Sequence, residues 1–234
     1  MNGPSVVTAI FMEIKAISLS ATPGGLAAGI NYFFAVMPDE AVRAEIVDIA
    51  GRFRKSHRVN GISVAPDNLH LELCPMGRIE RLSQSPEQAL LAAAATVQAR
   101  GFRITLDSAM RFTGRDGQFP FVLCADGGSM QAALELRKAI AAAQLKLGLR
   151  VSAVSSFAPH VVLQHAHLID AIEESITPIH WPVADFVLIR TFFGHSRQEV
   201  VGRWPLARAV EEPAIDLLCE MSDLLDLPES PDEG

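Results

Sequence analysis

The chain has 234 residues, 49% of them hydrophobic and 20% charged, with a formal net charge of -7. That length permits one large domain or two small ones with a sizeable core, and that composition excludes disorder for most of the chain. The charge is uneven: Glu211 to Gly234 holds nine Asp or Glu and no Lys or Arg, leaving 18 acids against 20 bases in the other 210 residues. The body of the chain is therefore near balance and open to an anionic ligand, while no long basic run points to bulk nucleic-acid binding. Cys74, Cys124 and Cys219 are odd in number, far apart and without CxxC spacing, so they read as reduced thiols in a cytoplasmic protein. No run of about 18 apolar residues is present to span a membrane. The opening "MNGPSVVTAIFMEIKAISLS" lacks the basic start of a signal peptide and reads as an extension.

In chain order, residues 1–29 form that extension and close on the Gly- and Ala-rich linker "ATPGGLAAG". "INYFFAVMP" reads as a strand, and "DEAVRAEIVDIAGRFRKSH" as a helix whose opening acids suit its N-terminus. "NGISVAPDNLHLELCPMG" predicts a turn, a short strand, a second turn at Pro66-Asp67 and a second strand. "SPEQALLAAAATVQARG" predicts a helix with Ser85 as N-cap, Pro86 at its first position and Gly101 as its stop. "FRITLDSAMRF" and "FPFVLCADG" read as strands joined by a hairpin through "TGRDGQ". "SMQAALELRKAIAAAQLKLG" is a third helix. Strand-like "RVSAVS", "APHVVLQHA", "VADFVLIRTFF" and "EVVGRWPL" follow. An acidic tail, 209–234, carries one short amphipathic segment, "AIDLLCEMSDLLDL". A weak repeat runs through this order: helix, strand, then a strand with an N/P-x-His lead, twice.

Those two histidine strands carry the chemistry. In "DNLHLELC" the apolar Leu69, Leu71 and Leu73 alternate with His70, Glu72 and Cys74. Side chains alternate faces along a strand, so His70 and Glu72 share one face, roughly 7 Å apart. In "PHVVLQHAH", His160, Val162 and Gln164 share a face and Val161 and Leu163 the other. Two histidines 90 positions apart, each opening a strand after a turn, can meet across a groove if the two halves face each other. Such a pair suits acid–base chemistry, one ring taking a proton and the other giving one.

From residue 30 to about 208 the chain resembles the two-histidine (2H) phosphoesterases, in particular the bacterial 2′-5′ RNA ligase group. That group carries two copies of His-hydrophobic-Thr/Ser-hydrophobic. "NYFFAVMPDE" is similar to its opening strand, "APDNLHLELCPMG" to the frame of the first motif with a closing Gly77, and "FRITLDSAMRF" to its middle strand. "FAPHVVLQHA" matches the second motif with its Pro-His lead, and "FVLIRTFFGHSRQEVVGRWPL" the C-terminal hairpin with Trp204 and Leu206. The resemblance implies an α+β fold: one domain over 30–208, made of two interleaved lobes with pseudo-twofold symmetry. Antiparallel strands would surround a central groove, with helices outside. It also implies His70 and His160 as the acid and base acting on a cyclic phosphodiester without cofactor or metal. The partner would be RNA or a small nucleotide with a 2′,3′-cyclic phosphate end, its phosphate held by backbone N–H groups and arginines. No Walker A loop suggests nucleotide-driven ligation, so ligation would be the reverse reaction.

The departures from the family pattern bear on binding. The motif hydroxyls are replaced by Glu72 and Val162, an Arg two residues beyond the second motif by His165, and an aromatic six residues before Trp204 by Gln198. Val162 cannot donate a hydrogen bond. An ionised Glu72 about 5 Å from a phosphate charge costs roughly 3 kcal/mol at an effective dielectric of about 20, or about two decades in affinity. In a wet groove the cost falls below about 1 kcal/mol. Glu72 thus has three readings: partner of a histidine ring, acceptor for a ligand amine or hydroxyl, or mark of a site that no longer binds phosphate. The last supports an alternative function, a non-catalytic ligand- or RNA-binding module that keeps the groove. A metal set of His70, Glu72, His160 and His165 has suitable ligand types but poor local geometry along one strand. Arg103, Arg111 and Arg115 lie on or beside the central strands and could supply positive charge to substrate, although a solvated strand edge is the plainer role of each. Arg190 and His195 sit in the C-terminal hairpin, and His57-Arg58 could rim the groove. Phe33, Phe34, Phe121, Phe192 and Phe193 read as core. Cys74, on the expected face of His70, reads as a buried thiol rather than a nucleophile.

Overall fold

The computed structural model describes residues 30–75, 85–113, 118–149, 151, 157–167, 172–192 and 197–208. The extension 1–29, Gly77, Arg115, Phe193, His195, most of "RVSAVS" and the tail segment with Cys219 lie outside them. Nine strands and three α-helices fill the described residues: β1 (Ile30–Val36), α1 (Glu40–Ser56), β2 (Gly61–Ser63), β3 (Leu71–Pro75), α2 (Pro86–Ala94), β4 (Phe102–Arg111), β5 (Gln118–Ala125), α3 (Gly127–Lys146), β6 (His160–His167), β7 (Glu173–Val183), β8 (Asp185–Phe192) and β9 (Gln198–Pro205). Each helix starts on a side-chain cap that accepts an otherwise orphaned N–H. Asp39 accepts from Val42 at 2.9 Å, Ser85 from Gln88 at 3.3 Å and Asp126 from Ser129 at 2.7 Å.

The strands form one sheet in the order β7-β4-β5-β6-β3-β1-β8-β9, with β2 alongside β6, and every paired strand is antiparallel. The buried residues of all three helices enter one core. Val42 and Ile46 of α1, Leu90 of α2 and Leu136 and Ile140 of α3 meet Phe34, Leu71, Leu123, Val161 and Trp181 of the sheet. The alternate strand residues point the other way. There Phe33, Ala35, Val187 and Ile189 make a second, smaller cluster with Met37 against it. The expected α+β fold with antiparallel strands is the one observed, and the strands form one continuous sheet.

Three elements differ from expectation. The helix expected to run to Gly101 ends at Ala94. Beyond it the backbone pairs with the chain that follows β9: Ala99 O accepts from Ala207 N at 3.0 Å and Gly101 N donates to Ala207 O at 2.7 Å. That pairing and the low helix propensity of Thr96 and Val97 outweigh the alanine run. The strand β7 is absent from the sequence reading. It carries Pro178 and Pro182, which only an edge strand tolerates, and it lies at the edge of the sheet. "VADFVLIRTFF" is consequently two strands, with Val183 closing β7 and Asp185 opening β8.

Gly61 lets β2 approach β6. Its φ is +154°, and a Cβ there would lie 2.1 Å from the His165 carbonyl oxygen. Both the backbone angle and the contact exclude a larger residue. Gly61→Ala is expected to destabilise by about 2 kcal/mol, roughly 6 °C in Tm for a chain of this size. Gly148→Ala, at φ +74° but in open space, should cost only about 1 kcal/mol. Thermal melts of the two variants check the order.

Candidate functional site

A short 3-10 turn, Pro66–Asn68, delivers the chain to His70. The His70 Nδ1 lies 2.7 Å from the Asn68 carbonyl oxygen, and the His160 Nδ1 lies 2.8 Å from the Ala158 carbonyl oxygen. A carbonyl only accepts, so Nδ1 carries the hydrogen in both rings and a neutral ring presents Nε2 as a bare acceptor. Each ring also rests against a phenylalanine: Phe33 on His70 at 4.9 Å between centroids, Phe112 on His160 at 4.8 Å. The same device is built twice, a carbonyl two residues upstream fixing the tautomer and an aromatic ring fixing the plane.

Burial pushes the pKa of both imidazoles below the ordinary value, although the carbonyl bonds pull the other way. The charge of His160 lowers His70 further, so the two rings lie within electrostatic reach of each other. His70 and His160 are half-buried residues and Glu72 is exposed, so the shifts come from crowding by neighbouring protein rather than from full enclosure.

The register accounts for the convergence. β3 and β6 are matched at Leu71 and Val161, both fully buried on the helix side. The two strands are matched at that level alone, but alternation along each sends His70 and Glu72 of β3 and His160 and Val162 of β6 to the face away from the helices. The level of His160 continues across β5 to Cys124 and then β4 to Ser108. The level of Val162 continues to Val122, Met110 and Glu173.

Cys74 does not share the face of His70. A bulge at Leu73 makes Glu72 the partner of Ala35 and Cys74 the partner of Phe34, so the extra residue turns Cys74 to the helix side. There its Sγ donates to the Arg137 carbonyl oxygen at 3.5 Å, and burial pushes the thiol up to about 12. Cys124, level with His160, is likewise pushed up to about 12, by burial and then by Asp107 and Glu173. Neither sulfur is a thiolate at neutral pH.

Arg137 is the residue that the sequence reading misses. It sits on the buried stripe of α3 with Ala133, Leu136 and Ile140, and a guanidinium at helical spacing among core positions is the signal that could have found it. Its Nη1 donates to the Leu73 carbonyl oxygen, and its guanidinium lies 4.8 Å from the centre of the Phe157 ring, just ahead of β6. Arg137 thus fills the seam where β3 and β6 diverge beyond Leu71 and Val161. Burial raises the Glu72 pKa, and the Arg137 charge opposes that rise.

Of the other candidates, His165 shares the face of His160, level with Pro120 and Ile62, and burial lowers its pKa. Arg103 points to the same side but is exposed and level with Pro182, five residues from Ser108 and so roughly 16 Å along the strand. Arg111 is level with Phe121 and covers the Phe119 ring at 4.9 Å, on the helix side, which turns it away from the two histidines. Arg190 is held by Glu87 at 2.9 Å and Glu199 at 2.6 Å, and His57 by Glu174 at 3.0 Å. No group of three or more His, Cys, Asp or Glu among the described residues could hold a metal ion.

No protein-family model and no curated protein matches the chain. Several solved structures do match it. E. coli LigT complexed with 3'-AMP superposes with a TM-score of 0.59 at 25% identity, over 75% of this chain and 97% of that one. Its apo form gives 0.57 and 25%, over 77% and 99%, and TT0787 of Thermus thermophilus gives 0.52 and 22%, over 75% and 97%. The fold is that of the LigT-like 2H phosphoesterases. No helix among the described residues is long and apolar enough to cross a membrane.

Two outcomes follow from this geometry. Both histidines have a folded pKa below the unfolded value. They therefore give full stability above about pH 6.5 and lose it as pH falls toward their folded values. Glu72, raised, acts in the opposite sense, its contribution lost as pH rises through its folded value. Urea unfolding at pH 7.5 and 5.5 should show a loss at the lower pH that shrinks in His70→Ala. Arg137→Gln, which unpairs the Leu73 carbonyl and removes the charge facing Glu72, should cost about 2–3 kcal/mol in the same assay; an unchanged midpoint would show that Arg137 does not tie the seam.

Proposed function

We propose that this protein is a phosphodiesterase acting on 2′,3′-cyclic phosphate ends of RNA or on small cyclic nucleotides, like the 2′-5′ RNA ligase group, by acid–base catalysis between His70 and His160. The observation that carries this reading is the duplicated histidine device: two rings on one face, each with Nδ1 tied to a carbonyl and Nε2 left for a reacting atom. In this mechanism one Nε2 takes a proton from water as its oxygen attacks phosphorus. The other gives a proton to the ribose oxygen that leaves. Ligation would be the same step with the 5′-hydroxyl of a second RNA end in place of water, and cleavage of the 2′-5′ link its reverse.

Nucleotide recognition is supported by E. coli LigT, which has been crystallised with 3'-AMP and with ATP. His165 is assigned to the substrate side of the groove. Arg103 could reach only a longer RNA, and Val162 offers a phosphate van der Waals contact alone. The functional unit is residues 30–208, flanked by an extension and an acidic tail. Buried free thiols at Cys74 and Cys124 accord with a reducing, cytoplasmic setting.

The second reading, a binding module without turnover, is favoured by Glu72 and Val162 at the two positions where the family carries hydroxyls. One experiment separates the two. Wild-type protein should open a 2′,3′-cyclic nucleotide. His70→Ala and His160→Ala should each slow that reaction by at least about 10²-fold, and together by little more, since paired acid and base act as a unit. Nucleotide binding in a thermal-shift screen with no turnover would select the module. Turnover that survives both substitutions would overturn the enzyme assignment.

A further inference from the structure

A cavity of about 190 Å³ opens on the helix side of the sheet, between α1 and the segment that runs from β2 to β3. Its floor is buried and apolar at Leu69, Phe121 and Leu163, and Gln164 is the polar residue among them. The Gln164 amide donates to the Val59 carbonyl oxygen at 3.4 Å, and its Oε1 accepts no hydrogen bond among the described residues. Two features of the mouth point to a ligand. Arg54 is the one cation of the lining, and it has no ion pair among the described residues. Arg43 and Arg52 of the same helix are paired with Asp67 and Asp48. Gly51, one turn before Arg54, also lines the cavity. Only proline is less favourable inside a helix. Yet a Cβ at Gly51 would meet no atom within 4 Å. No packing contact calls for glycine there, and its effect is an open mouth.

We propose that this cavity binds a small carboxylate with an apolar body the size of one ring, and that its occupancy is felt at His70. The size follows from the volume, since an apolar cavity of about 150 Å³ takes a benzene molecule. The charge follows from Arg54: a single guanidinium beside an apolar interior suits one carboxylate, which it can hold through two parallel hydrogen bonds. The Gln164 Oε1 on the floor can be met by a water or by a hydroxyl of the ligand. The site is separate from the two histidines, because Leu163 and Phe121 face the helices and His160 faces away from them. It is nevertheless joined to one of them. Pro66 and Leu69 line the cavity on either side of Asn68, and the Asn68 carbonyl oxygen lies 2.7 Å from the His70 Nδ1. A ligand resting on that turn bears on the anchor of the ring, which couples a site on one face of the sheet to a residue on the other. Nothing in this depends on the phosphodiesterase reading.

The test is calorimetric titration of the full chain with phenylacetate. Saturable binding with a Kd of about 1 mM or tighter is expected for a ligand of about ten heavy atoms. 2-Phenylethanol, which keeps the ring and lacks the charge, should bind at least about tenfold more weakly. Phenylacetate should lose about the same factor on Arg54→Gln. Gly51→Leu puts a side chain into the mouth without a clash and should remove binding, with a thermal melt to show that the variant is folded. No saturation by about 10 mM phenylacetate, undiminished binding in either variant, or 2-phenylethanol binding as well as the acid would overturn the proposal. NMR of the imidazole signals reads the coupling. Saturating phenylacetate should shift the His70 signal, assigned through His70→Ala, in wild type and leave it in place in Gly51→Leu. A His70 signal unmoved at saturation would overturn the link to His70. None of these measurements needs turnover, so loss of the phosphodiesterase reading would leave their outcome unchanged.

Discussion

The pairing of Leu71 with Val161 is the contact on which the site depends. It is the level at which β3 and β6 are matched, and it joins segments 90 residues apart. Both side chains are fully buried against the helices, so the apolar core fixes them. Because a strand alternates faces, burying these two sends their neighbours, His70, Glu72, His160 and Val162, to the opposite side together. A slip of one residue in either strand would turn a histidine into the core. The core thereby sets which polar side chains share the outer face, and the placement of the two histidines is the reverse side of a packing decision.

Desolvation is the cost of that placement. Both imidazoles have a lowered pKa and Glu72 a raised one, each chiefly through burial. The protein offsets part of the cost locally, with the Asn68 and Ala158 carbonyls bonded to the rings and Arg137 near the carboxylate. It holds both imidazoles in a fixed tautomer, each Nδ1 on its carbonyl. The divergence of β3 and β6 beyond their matched level leaves room for a buried guanidinium to approach the groove from behind, so a helix residue contributes to the electrostatics of a site built on strands.

Much of this is legible in the sequence, and the failures have physical causes. Alternation in "LHLEL" and "PHVVL" is enough to assign faces to His70, Glu72, His160 and Val162, because alternation is what burial of one face imposes. Cys74 is misassigned by alternation because the bulge at Leu73 adds a residue without a glycine to mark it. Strand β7 escapes a sequence reading because Pro178 and Pro182 argue against a strand, although Ile179, Trp181 and Val183 alternate correctly; its edge position removes the objection. The end of α2 depends on a partner more than 100 residues away, Ala207, which local propensity cannot register. Arg137 looks like an ordinary helix arginine, and only its place on the buried stripe distinguishes it. Arg111 is a groove candidate from its strand alone, and the level of Phe121 turns it to the helices.

The central claim is that two rings share one small anion on a common floor. A crystal structure of the full chain grown with inorganic phosphate tests it most directly. The account predicts a phosphate with oxygens about 3 Å from the Nε2 atoms of both His70 and His160, each Nδ1 still on its carbonyl. A phosphate that contacts only one of the rings, or rings that face separate surfaces, would contradict it.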